Sequence, residues 1–182
     1  MLNTWVVMPT CLPLVARRCH TCGSDRFRPD GKFRVNANHK LLDVWILVLC
    51  TRCGETAKLT VLERTHIRSI QPEFLDRLHH NDTALTGELL QVPLIQHRNR
   101  LTLDWGTNWR LDTGASEHLN RTVIEVAVRF TARIPVRPTR LIAQGCALSR
   151  AEVERLMARG RVDSTIRLNS RAADDFTFTL RR

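Results

Sequence analysis

The residues best suited to chemistry in this sequence are cysteines. The chain of 182 residues holds six of them. Four fall into two matching hooks, Cys19-His20-Thr21-Cys22-Gly23 and Cys50-Thr51-Arg52-Cys53-Gly54. Two residues between cysteines let both thiolates of one tight turn reach a single metal ion, and the following glycine accepts the positive φ that such a turn needs. Two hooks brought face to face complete a four-thiolate shell, the closed tetrahedral arrangement of structural zinc. A closed shell has no position for water or substrate, so Cys19, Cys22, Cys50 and Cys53 are expected to hold Zn2+ as an architectural ion. Iron also accepts four thiolates, and the ligand set alone does not separate the two metals. A lone C-x-x-C also fits a redox dithiol, but that chemistry has no use for a second copy with the same glycine. Disulfides would require an oxidising compartment. Cys11 and Cys146 are left over and are expected to be small buried side chains.

Composition bounds the setting of these hooks. A hydrophobic share of 43% and a charged share of 25% are those of an ordinary soluble globular protein, and the length allows one medium domain or two small ones. No apolar run approaches the ~20 residues of a membrane span. The stretch Met1–Ala16 is fairly apolar, but Pro9 and Pro13 interrupt it, and Arg17 and Arg18 follow it. That is the reverse of a secretory signal. The expected location is the cytoplasm, with no membrane partner, where thiols stay reduced and metal is favoured over disulfides. The net charge is +10, and it is spread unevenly. Residues 1–65 carry ten Lys/Arg against five Asp/Glu, residues 66–133 eight against eight, and residues 134–182 ten against five. Two basic ends around a neutral middle form the electrostatic footprint of a polyanion binder. The plainer alternative is a surface that uses Arg by habit.

Strands must position the hooks. Gly31–Asn38 and Leu41–Leu49 are joined by His39-Lys40, and Leu42, Val44, Ile46 and Val48 alternate with a second, largely apolar set. That pattern predicts a central strand delivering Cys50 into the second hook. Ala57–Leu62 reads as a third strand. Hook, strands, hook, strand is the layout of a zinc ribbon over residues 1–65. So few residues bury little core, and zinc can contribute on the order of 10–16 kcal/mol of apparent folding free energy to such domains. Residues 66–133 read as a helical and β linking region. Pro72 opens a helix ending at His79-His80, Asn81 or Asp82 caps a second that Val92-Pro93 ends, and Arg100–Trp105 and Trp109–Asp112 are short strands. Val123–Ile134 is the clearest strand of this half. His79 and His80 are adjacent and point about 100° apart on a helix, which suits solvated surface better than a metal pair.

Residues 134–182 carry the clearest clue to function. Arg137-Pro138 opens a short helix with Leu141 and Ile142, and Gly145 is placed to end it. Ser149-Arg150-Ala151-Glu152 fits a capping box, opening a helix whose apolar stripe is Val153, Leu156 and Met157, with Arg155 and Arg159 opposite and exposed. Gly160 ends that helix; Arg161-Val162 starts a strand, and residues 174–180 form another with Phe176 and Phe178 inwards. In order and spacing these residues resemble the small RNA-binding domain named after the fourth protein of the ribosomal small subunit. The resemblance covers about a quarter of the chain. Pro138-Thr139 and Val162-Asp163-Ser164 depart from the family pattern. The family lays a helical, Arg-rich face on folded RNA, which implies Arg137, Arg140, Ser149, Arg150, Arg155, Arg159 and Arg161 as RNA contacts. Guanidinium forks match phosphate geometry bidentately, and A-form RNA is read mainly by shape. The implied partner is structured RNA, including ribosomal RNA or the ribosome.

The front half shows a second resemblance. Phe33–Asn38, Leu42-Asp43-Val44-Trp45, the two hooks and Glu63-Arg64 are similar to a bacterial family, the domain of unknown function numbered 1062. It lends an architecture but no activity. Asp43 and Trp45 are its other candidates, although a tryptophan in a central strand is more often core. The fold expected is therefore α+β: an N-terminal antiparallel zinc ribbon, a helical and β middle, and a small C-terminal α+β RNA-binding domain. The function expected is a non-enzymatic, zinc-containing RNA binder. One alternative is an RNA-modifying enzyme, for which Arg110-Leu111-Asp112-Thr113-Gly114 offers a faint likeness to a pseudouridine-synthase motif at the wrong spacing. The other is a zinc-ribbon protein of DNA or the transcription machinery.

Overall fold

The computed structural model describes residues 2–114 and 122–182. The chain forms two compact units, Leu12–Gly106 and the combined ends Met1–Cys11 with Thr107–Arg182. The architecture is mixed α+β, with a five-stranded sheet in each unit. β1 (Leu2–Pro9) lies in the unit built from the chain ends.

The cysteine unit is an antiparallel sheet in the order β5-β4-β3-β2-β6, made of β2 (Leu14–Ala16), β3 (Arg26–Asn38), β4 (Leu41–Cys50), β5 (Thr56–His66) and β6 (Thr102–Asp104). On β4 the alternation is clean: Leu42, Val44, Ile46, Val48 and Cys50 are buried, while Asp43, Trp45, Leu47 and Leu49 are half-buried. The buried row needs a cover, and α1 (Pro72–His79), α2 (Thr83–Leu90) and α3 (Pro93–Asn99) supply it. Their Leu78, Leu85, Leu90 and Ile95 join Val15, Phe27, Val44, Ile46, Val48, Leu59 and Val61 in one core. Residues 66–106 are thus part of the cysteine unit, whereas the motifs had placed a boundary after residue 65. Pro93, expected to end α2, instead sits at the first position of α3, where its missing N–H is no loss. β3 starts five residues before the expected Gly31. Its register against β4 shifts between Pro29 and Phe33, and Gly31 takes φ 71°. A bulge of this kind breaks the alternation that would reveal the strand.

In the terminal unit the order is β7-β1-β8-β10-β9, with β7 (Trp109–Asp112), β8 (Val123–Phe130), β9 (Val162–Ser164) and β10 (Phe176–Arg181). β1 runs parallel to β8, Leu2 opposite Glu125 and Val7 opposite Phe130, and antiparallel to β7. The apolar N-terminal stretch is therefore an interior strand of the sheet that the C-terminal residues build, and residues 134–182 share a core with residues 2–9. That core holds Trp5, Val7, Ile124, Val126, Val128, Phe178 and Leu180 with Leu141 and Ile142 of α4 (Pro138–Gly145) and Val153 of α5 (Arg150–Ala158). β8 stops at Phe130, short of the expected Ile134, yet Ala132, Ile134 and Val136 stay buried beyond it.

Gly145 is the last residue of α4, where the helix was expected to end, but it is buried and the left-handed residue beyond the helix is Ala147, at φ 53°. The reason for glycine is steric: a Cβ there would lie 2.3 Å from Cη2 of Trp5. Gly160 does end α5. It takes φ 65°, its N–H bonds to Met157 O, and the N–H of Arg161 bonds to Leu156 O at 2.8 Å. This pair of bonds is the Schellman closure.

Candidate functional site

The four hook cysteines come together. Their Sγ atoms all lie within 4.8 Å of one another, with Cys19 to Cys53 and Cys22 to Cys50 both at 3.6 Å. A tetrahedron with metal–sulfur bonds of about 2.3 Å has edges of about 3.8 Å, so the donor set fits a tetrahedral ion. Backbone pairing makes this inevitable once the sheet forms. Phe27 of β3 stands opposite Cys50 of β4, and Thr51 N donates to Arg26 O at 3.0 Å. Each hook closes identically: Gly23 N donates to Cys19 O and Gly54 N to Cys50 O, both at 3.0 Å, with the two glycines at φ 71° and 74°. The turn amides also aim at the sulfurs. Hydrogen bonds led by the Cys53 N–H hold the Cys50 thiol down to about 6, and those led by the Cys22 N–H lower Cys19. Cys53 behaves oppositely. The Glu55 amide pulls it down, but burial and the three neighbouring sulfurs outweigh this and push it up to about 12. Charge from neighbouring sulfurs opposes the last ionisation, and a bound dication is what would relieve that opposition.

Of the remaining cysteines, Cys146 is buried as expected, and burial pushes its thiol up to about 11. Cys11 is exposed, contrary to expectation; it lies two residues beyond the end of β1 and outside any strand. His79 and His80 are exposed. Among the described residues the hooks are the only group of three or more His, Cys, Asp or Glu close enough to share an ion.

The arginine set lies on one run of elements. Arg137 is the N-cap residue of α4 and Arg140 sits within it. Ser149 caps α5, its Oγ accepting from Glu152 N at 3.2 Å while Glu152 accepts from Ser149 N at 2.8 Å. The Ser149 hydroxyl is thus engaged in the cap. Arg150 opens α5, Arg155 is in its last turn, Arg159 is its C-cap and Arg161 follows. All six arginines are exposed. Arg140 has a partner that the sequence did not reveal: its guanidinium carbon lies 4.7 Å from the ring centre of Trp109 on β7. Stacking of this kind orients the planar fork while leaving its N–H edge free. Three other arginines of the same unit are engaged by carboxylates. Arg129 binds Asp175 at 2.8 Å, Arg133 reaches Asp174 at 3.3 Å, and Arg181 pairs with Asp163. Asp112, in the segment with the faint synthase likeness, accepts from Gly114 N at 3.0 Å and closes its own turn.

Comparison with known families decides the relationship. A family model described as "Protein of unknown function (DUF1062)" matches residues 35–168, well over half of the chain. The chain belongs to this family. The DUF1062 match takes in Cys50, Cys53 and all of the arginine set, and begins after Cys19 and Cys22. No curated protein and no solved structure matches the chain. No helix among the described residues is long and apolar enough to cross a membrane.

Proposed function

We propose that the protein is a non-enzymatic, zinc-containing RNA-binding protein that docks on structured RNA, with ribosomal RNA the leading target. The observation that carries this reading is the run of exposed arginines on and beside α4 and α5. Arg129, Arg133 and Arg181 of the same unit are ion-paired with Asp175, Asp174 and Asp163, whereas Arg110, Arg167 and Arg171 are exposed and scattered outside the two helices. Arg137, Arg150, Arg155, Arg159 and Arg161 on and beside the two helices form no ion pair among the described residues, and Arg140 is held by an aromatic ring instead of a carboxylate. An unpaired guanidinium retains its full attraction for phosphate, and counterion release makes each such contact salt-dependent. Helix, helix and strand follow in the order that the ribosomal-protein resemblance implies, which supports the same face. In this reading the hooks hold Zn2+ as a structural ion that shapes the cysteine unit, and the location is cytoplasmic.

The test uses the full chain with a folded ribosomal-RNA fragment in a filter-binding assay. Arg155→Glu with Arg159→Glu is expected to abolish binding while leaving metal content and circular dichroism unchanged. Parent-like binding by the double variant would remove the assignment of this face. Elemental analysis of purified protein is expected to return one zinc per chain; iron in that position would overturn the choice of metal.

A further inference from the structure

The cysteine unit has a second face, opposite its helices. Residues directly opposed in a sheet share a face, so the register fixes its membership. Trp45 stands across from Arg34 on β3 and Thr60 on β5, Leu47 from Lys58, and Leu49 from both Arg28 and Thr56. One surface therefore carries an indole, two leucines and three cations. The helices pack elsewhere: the core they share with the sheet takes Val44, Ile46 and Val48, the alternate residues of β4. Trp45 is half-buried, whereas Trp5, Trp105 and Trp109 are exposed by only 0%, 5% and 9%. Lys58 Nζ lies 5.2 Å from the centre of the Trp45 ring. Arg28 and Arg34 are exposed and form no ion pair among the described residues. Of the acids on this face, Asp43 is turned to the backbone, accepting from Arg64 N at 2.7 Å, and Asp104, at the β6 edge, is taken by Arg26 at 3.6 Å.

We infer that this face is a stacking platform for an unpaired stretch of RNA. A ring set among unpaired cations offers both things a single strand presents, a base for the indole and phosphates for Arg28, Arg34 and Lys58. A duplex keeps its base faces stacked internally and has none to give Trp45. An acidic peptide would satisfy the cations and leave the ring without a partner. The exposed contact of Lys58 with the indole is weaker than a base stack, so the lysine can yield its place to a base and follow the phosphate. This site belongs to the cysteine unit, and the arginine face to the terminal unit. Only the choice of RNA over DNA rests on the proposed function.

The experiment titrates a labelled uridylate dodecamer with the full chain, reading probe anisotropy for affinity and tryptophan emission for stacking. Binding is expected to quench emission. Trp45→Ala is expected to weaken affinity by about tenfold, the loss of one base stack, and Trp45→Phe to restore most of it. Arg34→Glu with Lys58→Glu, which leaves the ring in place, is expected to weaken binding and to flatten the log–log salt slope by about 1.4, two single-strand phosphate contacts. Trp45→Ala binding within twofold of the parent, or binding without quenching, would overturn the inference. Tighter binding of a thymidylate dodecamer would overturn the choice of RNA. The Arg155→Glu, Arg159→Glu protein separates the two readings. Loss of folded-RNA binding with dodecamer quenching intact supports both faces, and quenching lost in that protein counts against a separate site on the sheet.

Discussion

At the residue scale the clearest single-group effect outside the hooks belongs to Asp82. Its carboxylate caps α2, accepting from Ala84 N at 2.8 Å and Leu85 N at 3.3 Å, and it shares the Arg77 guanidinium with Glu88. The Arg77 hydrogen bond first, then the two amides, hold its pKa below the ordinary 3.8; Glu88 is lowered mainly by the same guanidinium. The sign follows from linkage. As pH falls, the unfolded chain takes up these protons before the folded one does, so the stability they contribute is present above the ordinary carboxylate range and lost as pH drops through their depressed folded values. Asp82→Asn keeps a competent cap and removes the charge. Its urea midpoint is expected to fall less steeply than that of the parent below about pH 4. Parallel curves would mean that Arg77 does not act through the charge on Asp82.

Among elements, the contact between β1 and α4 shows most directly how packing selects a residue. Glycine in a helix is ordinarily a weakness, and at residue 145 it lets the Trp5 ring lie against the backbone. Trp5 in turn meets Phe178 of β10 edge-on, 5.3 Å between ring centres. A methyl group at 145 would overlap a rigid ring whose own exposure is 0%, so neither partner has room to move. Gly145→Ala is expected to destabilise the protein by about 1–3 kcal/mol, the usual range for overpacking, despite the better helix propensity of alanine. Chemical denaturation followed by the signal of the buried tryptophans measures this directly. A neutral or stabilising result would show that α4 can shift away from β1 at little cost.

For the whole molecule the decisive fact is the separation into two units, each with its own sheet and buried side chains. The hooks close the end of one sheet only. Their cysteines Cys19 and Cys50 belong to the core that α1, α2 and α3 cover, so loss of a bound ion leaves clustered thiolates at the edge of that core. Removing metal from the full chain with a chelator, or replacing Cys50 by Ser, is expected to raise amide exchange throughout residues 12–106. Protection in β8 and β10 should persist. Mass-spectrometric hydrogen exchange on the intact chain reads both units at once, and equal loss of protection in both would show that the terminal unit depends on the hooks.

The sequence by itself determined what local chemistry can determine. Two C-x-x-C-G turns state their own geometry, because only a tight turn ending in a positive-φ residue aims both sulfurs one way. The alternation through β4 and the capping box at Ser149 are equally local, and each appears where the pattern placed it. What the tertiary structure decided involved residues far apart in the chain. The strand at residues 2–9 pairs with residues 109–112 and 123–130, across a hundred residues or more, and this leaves no periodic trace in any of the segments. The bulge at residues 29–33 hid the start of β3 by breaking its alternation. Gly145 and Trp109 look like a terminator and an ordinary strand residue, and their roles come only from the Trp5 ring and the Arg140 guanidinium that the fold sets against them. Periodicity records which side of an element is buried; which distant element buries it is settled by packing.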